Sequence, residues 1–204
     1  MAKLDHIMFA TTDLNEGIAE IEALTGVAPV YGGAHAGGGT CNALLSLGDD
    51  QYLEVIAPDP EQDHEGNLAG ELIAHGGSGI RSWAVATDDI QQSRTIADAH
   101  DLGPQPIVDM ARTTPDGVRL DWQLFFLTRG RQMPFFIDWK DSPHPALTTP
   151  KGCLLERFTA SLADAGAYSV VMQALGVEVD VISGPLGLTA MLATPNGMVA
   201  LESW

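Results

Sequence analysis

The sequence predicts an α+β protein built from repeated βαβββ modules. Three observations predict it: an alternating strand that runs into an acidic cap and an amphipathic helix, three β-like stretches after that helix, and the return of the same order twice more along the chain. With 204 residues, 45% of them hydrophobic, the chain is long enough to bury a full core.

The first module is expected over residues 1–58. Leu4 to Ala10 alternates as a strand does, and Thr12 or Asp13 supplies a side-chain cap. Leu14, Ile18, Ile21 and Leu24 then recur at helical spacing until Gly26 closes the helix. Stretches near Val27–Tyr31, Thr40–Leu47 and Gln51–Ile56 read as strands, the last stopped by Pro58. A Gly- and Asp-rich linker is expected over 59–79.

The second module, 80–140, opens with a strand from Ile80 to Thr87, a cap at Asp88 or Asp89 and a helix carrying Ile90, Ile96 and Ala97. Strands fit Pro106–Arg112, Arg119–Leu127 and Pro134–Trp139. A Pro-rich linker over 141–152 leads to a third module, 153–204, with a helix through Tyr168, Val171, Met172 and Leu175. Each module has a helix on one face of a short sheet, which leaves the other face in need of a partner or a ligand.

The charge balance excludes several partners. Twenty-seven acidic against 10 basic residues give a formal charge of −17, which repels phosphate backbones and anionic lipid, so neither nucleic acid nor a membrane is an expected partner. Cys41 and Cys153 are far apart in apolar runs and read as core thiols, not as a disulfide framework or a zinc site. The N-terminus enters a strand without an apolar signal stretch, and no run approaches the roughly 20 apolar residues of a bilayer span. A cytoplasmic protein is the expectation.

Strand parity selects candidate site residues. If Ile7 and Phe9 lie beneath the helix, His6 and Met8 point to the opposite face, and by the same rule Tyr52, Glu54 and Ile56 oppose Leu53 and Val55. His6 and Glu54 then share one face, provided their strands are neighbours. A carboxylate on an apolar strand is costly to bury alone, so Glu54 needs a metal, His6 or a backbone donor. The glycine-rich run around His35, Gly32 to Thr40, lacks the ending of a phosphate-binding loop and reads as a bent strand or lid at a cleft mouth. Trp122 and Trp139 read either as core or as cleft walls, and His144, stiffened between Pro143 and Pro145, as a turn or a cleft residue.

These residues resemble the glyoxalase-like domain of the vicinal oxygen chelate superfamily. The likeness is carried by Leu4-Asp5-His6-Ile7 with its helix, the segment Gly33 to Leu44, Tyr52-Leu53-Glu54-Val55-Ile56-Ala57-Pro58, and Phe135 to Trp139 with His144-Pro145. It implies mixed, strongly curved sheets with helices on the outer face, two modules paired into a cup, and adjacent first and fourth strands. Members with metal place His or Gln on a module's first strand and Glu on its last, where an ion with open positions activates vicinal substrate oxygens. By position His6 and Glu54 match the metal ligands of one divalent ion. The second half-site departs: Ser82 stands where another ligand belongs, and Asp138 where Glu54 would recur. His35 is a geometric alternative that completes a set of two imidazoles and one carboxylate.

Glu54, His35 and Asp138 are therefore the catalytic candidates, and Tyr52, Asn42, Trp122, Phe136 and His144 the substrate-binding ones. Two functions stay open. One is an enzyme of the lyase, isomerase or dioxygenase kind, acting on a small oxygen-rich metabolite through a divalent metal. The other is a metal-free protein that binds a small molecule, for resistance or sequestration, in the same cup. The unpaired third module predicts a homodimer through its free face.

Overall fold

A computed structural model describes residues 2–114, 116–128 and 132–204. The first module runs β1 (Lys3–Ala10), α1 (Leu14–Thr25), β2 (Val30–His35), β3 (Thr40–Ser46) and β4 (Tyr52–Pro58). Asp13 caps α1 by accepting hydrogen bonds from the Asn15 and Glu16 amides, and Gly26, at φ +79°, ends it by donating to the Glu22 carbonyl. A further helix, α2 (Leu68–His75), precedes the second module, which comprises β5 (Gly79–Ala86), α3 (Ile90–Ala99), β6 (Val108–Thr113), β7 (Arg119–Phe125) and β8 (Phe135–Asp138). Asp89 is the cap of α3.

The two modules form one eight-stranded sheet in the order β2-β3-β4-β1-β5-β8-β7-β6. Strand β1 runs parallel to β4 and antiparallel to β5, so the modules meet first strand to first strand. The sheet is mixed and curls nearly closed, and at its seam the Arg112 side chain of β6 donates to the Gly32 carbonyl of β2. Alternation then sorts the side chains. Ile7, Leu53, Val55, Trp83 and Phe136 turn to the convex side and share a core with Ile21 of α1 and Ile90 of α3. Phe125 and Phe136 stack there at 4.9 Å, each fully buried, a burial worth roughly 1.5–3 kcal/mol per ring. Met8, Ile56, Trp122, Phe135 and Ile137 form a separate cluster on the concave side.

The segment expected as a linker over 59–79 holds α2 instead. Asn67 caps it, and Leu72 and Leu68 pack into the concave cluster, so the helix plugs the cup. The flanking Gly and Asp residues conceal a short apolar stretch, Leu68 to Ile73, too brief for helical periodicity to stand out. The second linker carries a 3₁₀ turn over Pro145–Leu147 with His144 at its start.

The third unit keeps the element order but not the sheet. Its elements are β9 (Leu154–Leu162), α4 (Ala165–Ala174), β10 (Asp180–Ser183), β11 (Gly187–Thr194) and β12 (Gly197–Glu202), and its strand order is β10-β9-β11-β12. Here the first strand lies inside the sheet, parallel to β10 and antiparallel to β11, whereas β1 pairs with the closing strand of its own module. Phe158, Ala160, Leu188, Ala190 and Leu192 belong to the convex-side core, with the Phe158 ring 5.1 Å from Trp83. Met198 and Ala200, on the opposite face of that sheet, stay exposed. Among the described residues no helix is long and apolar enough to cross a membrane.

Candidate functional site

The concave face encloses a cavity of about 220 Å³. Its lining follows from parity: His6 and Met8 of β1, Tyr52, Glu54 and Ile56 of β4, and Thr40 and Asn42 of β3 project inward on alternate positions. Met110 and Arg112 of β6, Trp122 and Leu124 of β7, and Phe135 and Ile137 of β8 complete the wall.

In the parallel pairing of β1 with β4, His6 stands opposite Tyr52 and Met8 opposite Glu54. His6 and Tyr52 stack with ring centroids 4.5 Å apart. His6 Nε2 lies 3.7 Å from Glu54 Oε2, and His35 Nε2 lies 3.6 Å from Glu54 Oε1. Both gaps exceed a direct hydrogen bond. Asn42 bridges one of them: its amide nitrogen is 2.7 Å from Glu54 Oε1 and 3.2 Å from His35 Nε2 and donates to both. His35 Nε2 is then the acceptor, which leaves Nδ1–H to donate to Thr40 Oγ1 at 2.9 Å. Burial lowers the His35 pKa below its ordinary 6.5, so the ring stays neutral.

His6 is held from behind by Asp5. Neighbouring residues on a strand normally face opposite ways, but the β1–β5 register shifts between Leu4 and His6, and this bulge lets the two side chains meet. His6 Nδ1 lies 2.6 Å from Asp5 Oδ1, while Trp139 Nε1 and His144 Nε2 each lie 3.0 Å from Asp5 Oδ2. His144 Nδ1 accepts from the Ala146 amide, so Nε2 carries the hydrogen that Asp5 receives. Burial would by itself raise the Asp5 pKa, but hydrogen bonds from His144 and His6 outweigh it and hold the group at about 2. An ionised Asp5 accepts a hydrogen bond from His6 Nδ1–H, which leaves the Nε2 lone pair toward Glu54.

The structure brings His6, Glu54, His35, Asn42, Tyr52 and Trp122 together in one cavity. It does not bring Asp138 or Phe136 there. Phe136 lies in the convex core, and Asp138, of the same parity, accepts from the Lys140 amide outside the cavity. Phe135 and Ile137 occupy the inward positions instead; in Phe-Phe-Ile-Asp both faces are apolar, so sequence alone leaves the register free by one residue. His144 supports Asp5 without lining the cavity. Asp5 and Arg112 escaped sequence reasoning. Adjacency to His6 hid the first, since alternation places it on the other face, and the second lies next to the end of a strand whose pattern is half polar.

A divalent ion would find suitable donor types in two imidazoles and a carboxylate. The placement does not suit it. The imidazoles address different oxygens of Glu54, Asn42 already donates to one of them, and among the described residues no group of three or more His, Cys, Asp or Glu is gathered closely enough to hold an ion. Ser82 pairs beside Met8, and Ala84, with no donor, stands beside His6. Asn42 joins Glu54 to His35 through hydrogen bonds, and His6 stands across an open gap from the other carboxylate oxygen. Cys41, whose thiol burial pushes up to about 11, is an inert neighbour.

The family model of the glyoxalase-like domain matches residues 4–176. The chain belongs to that family. A crystal structure of a hypothetical protein from Staphylococcus aureus is similar over 100% of this chain and 86% of that one, at 17% identity and a TM-score of 0.68. The methylmalonyl-CoA epimerase from Mycobacterium tuberculosis is similar over 69% of this chain and 88% of that one, at 18% identity and a TM-score of 0.50. A methylmalonyl-CoA epimerase in complex with methylmalonyl-CoA and NH4+ covers 71% of this chain and 99% of its own, at 21% identity and 0.50. At these identities the likeness is one of fold. No curated protein sequence matches.

Proposed function

We propose that this protein is an enzyme that moves a proton at a carbon beside a carbonyl or hydroxyl of a small oxygen-bearing metabolite, with Glu54 and the imidazoles of His6 and His35 as its acid–base groups. One observation carries the reading: a buried carboxylate stands between two imidazole nitrogens at 3.6 and 3.7 Å, inside a cavity. Those gaps admit a substrate atom, and each imidazole has its second nitrogen fixed by a partner. The C–H bond breaks toward Glu54, the electron pair moves onto the carbonyl oxygen, and the proton passes on to His6, whose imidazolium Asp5 stabilises. Return of a proton to carbon completes an epimerisation or isomerisation. The methylmalonyl-CoA epimerases share this fold, which supports the class of reaction and leaves the substrate to be found by experiment.

The aromatic and aliphatic walls favour a second reading, a protein that binds an apolar molecule without turnover. Proton NMR in D₂O separates the two. A panel of oxo acids, hydroxy acids and acyl thioesters is incubated with protein, and the wild type is expected to wash out an α-proton that Glu54→Gln leaves in place. Binding without exchange across the panel favours the second reading, and exchange undiminished in Glu54→Gln removes the first.

A further inference from the structure

The cavity contains a cation for which the proposed proton transfer has no use. Arg112 reaches inward from β6 and is only 8% exposed. Its hydrogen-bond partner is the Gly32 carbonyl, and among the described residues no Asp or Glu lies within ion-pair distance of it. A guanidinium has five N–H donors, and a buried cation left without an anion is destabilising. The same corner holds a second unmatched group. Asn42 Oδ1 is buried with no hydrogen-bond partner, and it flanks Gly32 together with Arg112: a Cβ at Gly32 would lie 2.5 Å from Asn42 Oδ1 and 2.9 Å from Arg112 Nη1. Glycine at that position keeps the corner open.

We infer that Arg112 is a specificity residue that binds the carboxylate of a small organic acid, whose apolar body lies against Trp122, Leu124 and Phe135 and whose reacting carbon reaches toward Glu54. The inference rests on the reading of this cavity as the substrate site, and it adds the substrate's charge. Asn42 shares that corner with Arg112 and donates to Glu54 Oε1, so an anionic end held at Arg112 lies on the Glu54 side of the cavity and leaves the apolar wall to the rest of the ligand. The charge of −17 on the chain works against attraction of anions from a distance, so selection of a carboxylate falls to this short-range, bidentate contact.

Benzoate and benzamide test it, because they share shape and differ in charge. Titration into the full chain, followed by tryptophan fluorescence and calorimetry, is expected to show benzoate binding at least about tenfold more tightly than benzamide. Arg112→Gln is expected to erase that preference while leaving benzamide affinity unchanged, and Arg112→Lys to keep part of it. Equal affinities in the wild type, no benzoate binding at millimolar concentration, or a preference that survives Arg112→Gln would each overturn the inference. The wild-type comparison stands even if the variant folds poorly. Glu54→Gln keeps the two proposals apart: it is expected to abolish α-proton exchange while benzoate binds as tightly or more so. Exchange that persists there sinks the acid–base reading and leaves the carboxylate site standing.

Discussion

His6 Nε2 faces Glu54 Oε2 across 3.7 Å from a neighbouring parallel strand, and the bond that aims it there is made on the other side of the ring, to Asp5. The pairing puts the two groups within reach, and the bulge at Asp5 fixes which nitrogen of His6 is free. In the proposed reaction, proton transfer therefore depends on a residue that touches no ligand.

Asp5→Asn tests that dependence. An amide at position 5 no longer favours the Nδ1–H form of His6, and the exchange rate is expected to fall by roughly 10²–10⁴. Ligand affinity should change little, so the loss appears in kcat and not in KM. A variant with normal turnover and a raised KM would assign Asp5 a purely architectural part.

Acid should weaken the fold through the same residue. The Asp5 pKa is depressed from 3.8 to about 2 in the folded state, so its contribution is complete above 3.8 and is lost as pH falls toward 2. That contribution is roughly 2 kcal/mol. His35 acts earlier: its folded pKa is lowered from 6.5, so below that pH the unfolded chain takes up the proton first and stability declines. Urea unfolding as a function of pH is expected to show both slopes, the first missing in Asp5→Asn and the second in His35→Ala.

Two adjacent phenylalanines should give opposite results. Phe136→Ala empties a fully buried stacking position and is expected to cost about 3–5 kcal/mol, with little direct effect on ligand contact. Phe135→Leu alters the cavity wall and should change ligand affinity more than stability. Denaturation paired with fluorescence titration checks both, and the reverse outcome would place the register one residue away.

Dialysis against a strong chelator is expected to leave α-proton exchange and benzoate binding unchanged, since the His6, His35 and Glu54 placement does not form a coordination sphere. Loss of exchange on chelation, restored by one divalent metal, would show that the donors close around an ion in solution.

Much of the cup was legible in the sequence because its strands near His6 and Glu54 alternate cleanly. Ile7 and Phe9 against His6 and Met8, and Leu53 and Val55 against Tyr52 and Glu54, settle which face each residue takes. Legibility fails where pattern is degenerate or pairing is long-range. Phe135 and Phe136 are equivalent until β8 is registered against β5, and the third unit repeats an order of elements without repeating their sheet. Arg112 becomes a cavity residue only when β6 curls round to meet β2, a contact between positions 80 residues apart. A charged side chain at a strand end otherwise reads as solvated surface.

Closure of that curl has a mechanical side. Among the described residues β2 and β6 share no ladder of main-chain bonds, and the Arg112 guanidinium spans their seam to Gly32. A barrel buttoned by one side chain yields there before it yields between β1 and β5, where a full ladder runs. On the carboxylate reading of Arg112, a guest that draws the guanidinium inward would loosen the button as it docks and couple ligand uptake to opening of the wall.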